Sequence, residues 1–97
     1  MAQHLHMAWK GIAGDSGIYF SASADGAHWA PQQRLADAGT SHSPALAEFN
    51  GRLFLAWKGI DDDSGIYFSS SVDGENWVPQ QWVPDVGTSH GPSLAAL

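Results

Sequence analysis

Shifted by 48 positions, this sequence superposes on itself without a gap. Trp9-Lys10-Gly11-Ile12 falls on Trp57-Lys58-Gly59-Ile60, and Asp15 through Ser21 falls on Asp63 through Ser69. Pro31-Gln32-Gln33 matches Pro79-Gln80-Gln81, and Gly39-Thr40-Ser41-His42 matches Gly87-Thr88-Ser89-His90. Roughly 28 of the 49 aligned pairs are identical, far above chance for one fixed register. The chain is therefore one unit of two tandem copies, residues 1–48 and 49–97. A repeat this short does not bury its own hydrophobic face, so neighbouring copies must cover one another.

The middle of the chain holds one complete copy, and its punctuation predicts four strands. Pro44 to Phe49 is a short apolar run, strand A, followed by Asn50-Gly51, the preferred pair for a type I′ hairpin turn. Arg52 to Ile60 reads as strand B, with Leu53, Leu55 and Trp57 on one face and Phe54, Ala56 and Lys58 on the other. After the polar turn Asp61 to Gly65 comes strand C, Ile66 to Ser71, then a turn at Asp73-Gly74. Trp77 opens a looser strand D, which Pro79 and Pro84 mark as an edge. No helical periodicity is present. The fold class expected is all-β, and a period near 48 suits one four-stranded blade of a β-propeller, usually about 40–50 residues.

The order of strands at the termini carries a further expectation. The chain opens on a strand B, Leu5 to Ile12, and closes on a strand A, Pro92 to Leu97. Leu97 aligns with Phe49 and Ala2 with Asn50, so the cut falls inside the A–B hairpin. Each end then lacks a sheet partner, which a second copy supplies if chains join head to tail, and such contacts close a ring when the rotation permits. Four chains would give eight blades, the favoured homo-oligomer; three chains would give six.

Composition removes several classes of function. Net charge is −6, with Lys10, Arg34, Arg52 and Lys58 the only Lys or Arg residues, so the chain lacks the basic footprint of a nucleic-acid binder. No apolar run reaches the length of a membrane span, and Met1-Ala2-Gln3-His4 does not open like a signal peptide. With no cysteine, neither disulfides nor thiolate metal sites support the fold.

Motifs that invite a catalytic reading have simpler explanations. Gly14-Asp15-Ser16-Gly17 looks like a serine-protease nucleophile segment, but its copy, Asp62-Asp63-Ser64-Gly65, loses the first Gly, and both fall on a strand-connecting turn. His4 and His6 share a strand face without recurring in copy 2, where Arg52 and Phe54 stand, and no further metal ligands accompany them. Asp61-Asp62-Asp63 offers oxygen ligands for calcium, yet copy 1 keeps only Asp15, which favours a solvated turn. Acidic residues are numerous without the asymmetric pair that glycoside hydrolysis needs. The expectation is no enzyme, no cofactor and no metal.

Ser23-Ala24-Asp25-Gly26-Ala27-His28-Trp29 and Ser71-Val72-Asp73-Gly74-Glu75-Asn76-Trp77 resemble the Asp-box turn of sialidase-type propellers, one residue shorter between Asp and Gly. That family's catalytic arginine cluster does not follow, since Arg34 and Arg52 have Trp82 and His4 as counterparts. The longer run A-W-K-G-x-x-x-D-S-G-I-Y-F-S-x-S-x-D-G-x-x-W-x-P-Q-Q, followed by G-T-S-H-x-P-x-L-A, resembles bacterial β-propeller lectin repeats, especially the seven-bladed fucose-binding kind. The resemblance covers nearly the whole of both copies and implies shallow sugar sites between blades, with glycans as ligands. Two blades are fewer than that family carries, and copies this alike also look like a recently amplified, ancestral-type or engineered fragment. A sugar pocket needs an aromatic face and a few directed polar groups. The recurring candidates are Trp9 and Trp57, Tyr19 and Tyr67, Ser41 and Ser89, and His42 and His90. The Trp and Tyr pairs could instead serve packing, and the Ser and His pairs could cap backbone groups. Trp29 and Trp77, after the Asp-box turn, are expected in the core.

Overall fold

The computed structural model describes residues 3–97, so Met1 and Ala2, where the expected hairpin cut begins, lie outside it. The chain is all-β. Seven strands form two antiparallel sheets, and no helix occurs among the described residues. Copy 1 gives β1 (Leu5–Lys10), β2 (Ile18–Ser23) and β3 (Gln33–Arg34) in one three-stranded sheet. Copy 2 gives β4 (Ala45–Phe49), β5 (Arg52–Lys58), β6 (Ile66–Ser71) and β7 (Gln81–Trp82) in one four-stranded sheet. The register repeats with the sequence: Ala8 pairs with Phe20 and Trp9 with Tyr19, as Ala56 pairs with Phe68 and Trp57 with Tyr67.

Local chemistry explains the turns. Asn50 and Gly51 both take positive φ, 52° and 75°, as a type I′ turn requires. In both Asp-box segments one carboxylate organises the hairpin. Asp73 Oδ1 accepts the backbone N–H groups of Glu75 and Asn76, each at 2.9 Å, while Ser71 Oγ accepts that of Gly74 at 2.8 Å. Asp25 and Ser23 repeat the pattern. These donors hold Asp25 and Asp73 well below the usual carboxylate range, because they stabilise the charged form.

Three expectations need correction. Strand B ends at Lys58, and at Lys10 in copy 1, because the chain turns at the next glycine; Gly59 N–H bonds to the Gly65 carbonyl and Gly11 N–H to that of Gly17. Strand D shortens to Gln81–Trp82, the only segment of it that pairs with β6. Pro92–Leu97 forms no strand, because no strand of the described residues lies beside it as β5 lies beside its counterpart β4. Trp29 also departs from expectation, being 37% exposed.

The core lies between the two sheets. Ile18, Phe20 and Leu35 of copy 1 cluster with Leu55 and Trp57 of copy 2, and Ala8, Leu46, Tyr67 and Trp77 pack around them. Trp77 stands edge-on to Phe20, with ring centroids 5.7 Å apart. The strand alternation of period two sorts these residues cleanly. Each sheet has one face bearing Ile, Phe and Ala (Ile18, Phe20, Ala8) and one bearing Leu or Met and Trp (Leu55, Trp57). Inside the chain, the first kind of face of copy 1 meets the second kind of face of copy 2.

Candidate functional site

Between the sheets opens a cleft of about 500 Å³, with Asp37, Ala38 and Gly39 on one side and Trp57, Asp63 and Tyr67 on the other. The first wall is a loop pinned at both ends to its own sheet. Leu35 N–H bonds to the Ile18 carbonyl and Thr40 N–H to the Ser16 carbonyl, each at 2.8 Å, and Asp37 takes a left-handed φ of 58°. Gly39 makes the contact. A Cβ there would come within 2.7 Å of Ile60 Cδ1, so the glycine lets the Ile60 side chain seat against the loop.

The second wall is a linked set of polar and aromatic groups. Trp57 stacks on Tyr67 at 6.5 Å with an interplanar angle of 20°. Tyr67 donates its phenolic hydrogen to Asp63 Oδ2 at 2.7 Å, while Asp63 Oδ1 accepts Gly65 N–H at 2.9 Å. The Tyr67 O–H and then Gly65 N–H hold the Asp63 carboxyl below its ordinary value, and the same bond pushes the Tyr67 phenol up. Asp63 therefore stays ionised with free lone pairs beside an aromatic ring. Gln80 adds an amide that both donates and accepts.

Lys58 fixes this wall from beneath. It is 4% exposed, and its ammonium donates to the carbonyls of Gly59, Asp61 and Asp63 at 3.1, 2.8 and 3.0 Å, with Ser41 Oγ at 3.4 Å. The B–C turn is thus tied from inside. Copy 1 uses a variant of this turn: Gly14, at φ 86°, takes the left-handed position that Asp61, at φ 52°, takes one residue earlier in copy 2. Lys10 accordingly reaches only the Gly11 and Asp15 carbonyls.

The candidate residues separate into three groups. Trp57 and Tyr67 line the cleft, although Trp57 is only 1% exposed, so Tyr67 is the aromatic with free surface. Trp9 and Tyr19 form the same stacked pair at 6.3 Å, and Tyr19 donates to Asp15 at 2.5 Å, but they do not line this cleft and no loop among the described residues faces them. Tyr19 O–H and Gly17 N–H lower Asp15 in turn. Ser41, His42, Ser89 and His90 lie elsewhere. Each serine Oγ sits 3.0 Å from the next histidine's Nδ1, and the His42 and His90 rings meet each other at 5.6 Å. Ser41 also reaches across to the Gly59 carbonyl at 3.4 Å, linking the two sheets.

Sequence reading weighed Asp63 only as a turn residue or calcium ligand, and did not single out Gln80, Ile60 or the Asp37–Gly39 loop as site residues. Asp63 was legible as a turn residue, and its tie to a tyrosine four positions on, repeated in both copies, was the signal available. His6, one of the histidines read as a surface pair, lies half-buried against Gly74 of the other copy; burial and the nearby His4 lower its pKa. Among the described residues no three His, Cys, Asp or Glu side chains gather as a metal set. Nor, among the described residues, is any helix long and apolar enough to cross a membrane.

Fold and cleft together define an all-β chain of two like sheets with a polar, aromatic-backed groove at their junction. Comparison with models of known families, with curated proteins and with solved structures finds no match.

Proposed function

We propose that this chain is a two-blade unit of a carbohydrate-binding β-propeller, completed by further copies of itself and binding its sugar in the cleft between repeats. The observation that carries this reading is the grouping of Tyr67, Asp63 and Gln80 on one wall of an open cleft. A tyrosine face suits the C–H side of a pyranose, while a carboxylate and an amide suit its hydroxyls. The volume, about 500 Å³, lies within the usual range for small ligands. Four chains with eight blades is the favoured ring, three chains with six the alternative, and repetition of a weak site around such a ring raises avidity without new contacts. The grouping suits binding, and no acid–base pair is proposed for chemistry.

Calorimetric titration with fucosides and galactosides tests this. Saturable heat is expected, and Gln80→Ala, at an exposed position, should weaken binding at least tenfold at unchanged thermal stability. Absence of heat at millimolar sugar would leave the other reading, a symmetric self-assembling scaffold without ligand. One observation favours that reading: Trp57 is almost wholly buried and so already used in packing.

A further inference from the structure

We infer that a second cleft forms between chains, where Asp85, Val86 and Gly87 of one copy face Trp9, Asp15 and Tyr19 of the next, with Ile12 of that next copy seated on Gly87. The inference rests on the proposed sugar cleft for its ligand, but its geometry stands on the chain's own two halves.

Both halves of this second cleft are already built. On the donor side, the loop at Asp85 repeats that at Asp37: φ is 67° against 58°, and Thr88 N–H bonds to the Ser64 carbonyl at 2.8 Å as Thr40 does to Ser16. On the receiving side, Trp9 and Tyr19 stack at 21° where Trp57 and Tyr67 stack at 20°. Every residue lining the cleft within the chain has an identical counterpart 48 positions away, except Ala38, which corresponds to Val86.

Exposure then shows which faces lack a cover. Ile60, against Gly39, is 42% exposed, whereas Ile12, with no glycine loop beside it, is 87% exposed. Leu55 is fully buried, yet Met7, its counterpart, is 42% exposed. The opposite face shows the converse: Ile18, Phe20 and Leu35 are buried, while Ile66, Phe68 and Val83 are only half-buried. The bare face at the start of the chain is thus of the Leu/Met–Trp kind, and the bare face at its end is of the Ile–Phe kind. These two kinds already pack together once inside the molecule, so the occupant each face fits is a second copy of this chain. The contact is heterologous, joining unlike faces, and it leaves one of each kind free to continue.

Two measurements test the interface and its ligand separately. The chain has no cysteine, so a variant carrying Ile12→Cys and Gly87→Cys should, under mild oxidation, give covalent multimers of the 10.3 kDa chain. The series should end at three or four chains if the ring closes. Ile12→Asp, at a site exposed in the single chain, should reduce the mass in light scattering to one chain and the sugar stoichiometry from two per chain to one. Cross-linking with no sugar heat would uphold the interface and overturn the sugar reading. One sugar per chain in both proteins, with the parent monomeric and no cross-link, would overturn the interface and leave the sugar reading standing. If the double-cysteine variant does not fold, the Ile12→Asp mass decides alone: an unchanged mass refutes the contact.

Discussion

Leu55 and Met7 occupy the same place in the repeat, and only one of them is covered, so truncating each to alanine isolates what the neighbouring sheet contributes. Leu55 is fully buried in the cluster between sheets. Its replacement loses the transfer free energy of the removed groups and leaves a cavity, together about 2–5 kcal/mol. A domain of this size holds about 5–15 kcal/mol in all, so Leu55→Ala should remove a large share of it. Met7 is 42% exposed with open space on its outer side. Its truncation forfeits only part of the transfer term and encloses no cavity, about 1 kcal/mol.

Urea denaturation followed by tryptophan fluorescence reads the difference. With a slope of about 1–3 kcal/mol/M, Leu55→Ala should lower the midpoint by about 1–2 M and Met7→Ala by well under 1 M, at protein concentrations too low for assembly. At high concentration the Met7→Ala effect should grow toward that of Leu55→Ala, because the face becomes covered and mass action adds to stability. Equal costs at every concentration would refute the reasoning. They would mean that Met7 is as enclosed as Leu55 within one chain, and the asymmetry between copies would carry no information about a missing neighbour.

Three further outcomes follow from the turns and termini. Stability should fall in acid: Asp15, Asp25, Asp63 and Asp73 have folded values lowered from 3.8, so their contribution is complete above that pH and is lost as pH drops through the folded values; an unchanged melting temperature between pH 5 and pH 2.5 would contradict this. Asn50→Ala, at φ 52°, should cost about 1 kcal/mol in thermal or urea denaturation, because asparagine's short polar side chain can hydrogen-bond locally and eases the left-handed region, whereas alanine brings a Cβ with no such compensation. Deleting Pro92–Leu97, which packs as no strand in its own chain, should leave the single-chain fold intact in circular dichroism while lowering the assembled mass.

The sheets were largely legible because their signals are local. Asn50-Gly51 announces a hairpin whichever way the rest of the chain packs, and Ile66–Ser71 alternates between faces regardless of its neighbours. The site was less legible because it is made between copies. Nothing in the string Asp37-Ala38-Gly39 says that it will face Asp63 and Tyr67, since that depends on how the two sheets meet. The Thr-Ser-His segments show the same dependence on context. A polar loop repeated in both copies reads either as a binding loop or as a cap for backbone groups, and here His42 N–H bonds to Thr40 Oγ1 at 3.2 Å while Ser41 Oγ holds the His42 ring.

Identical residues in unlike surroundings are the most informative feature of this chain. Ile12 and Ile60 carry the same side chain at equivalent positions of two variants of one turn, yet one is 87% and the other 42% exposed. Ile60 has the Gly39 loop as a neighbour, and Ile12 has no such loop beside it among the described residues. The same holds for Trp29, at 37% exposed, against Trp77, which is partly buried with its Nε1 enclosed and without a hydrogen-bond partner. A tryptophan indole enclosed without a partner is a cost, and Trp77 bears it while standing edge-on to Phe20. Trp29 can gain the same packing only against Phe68, which lies on the other copy's bare face and within one chain is already turned away from it. An isolated chain would thus keep a tryptophan, a methionine and an isoleucine in water on one face and a phenylalanine half-bare on another. Under the proposed head-to-tail interface, these two faces are the two sides of one contact.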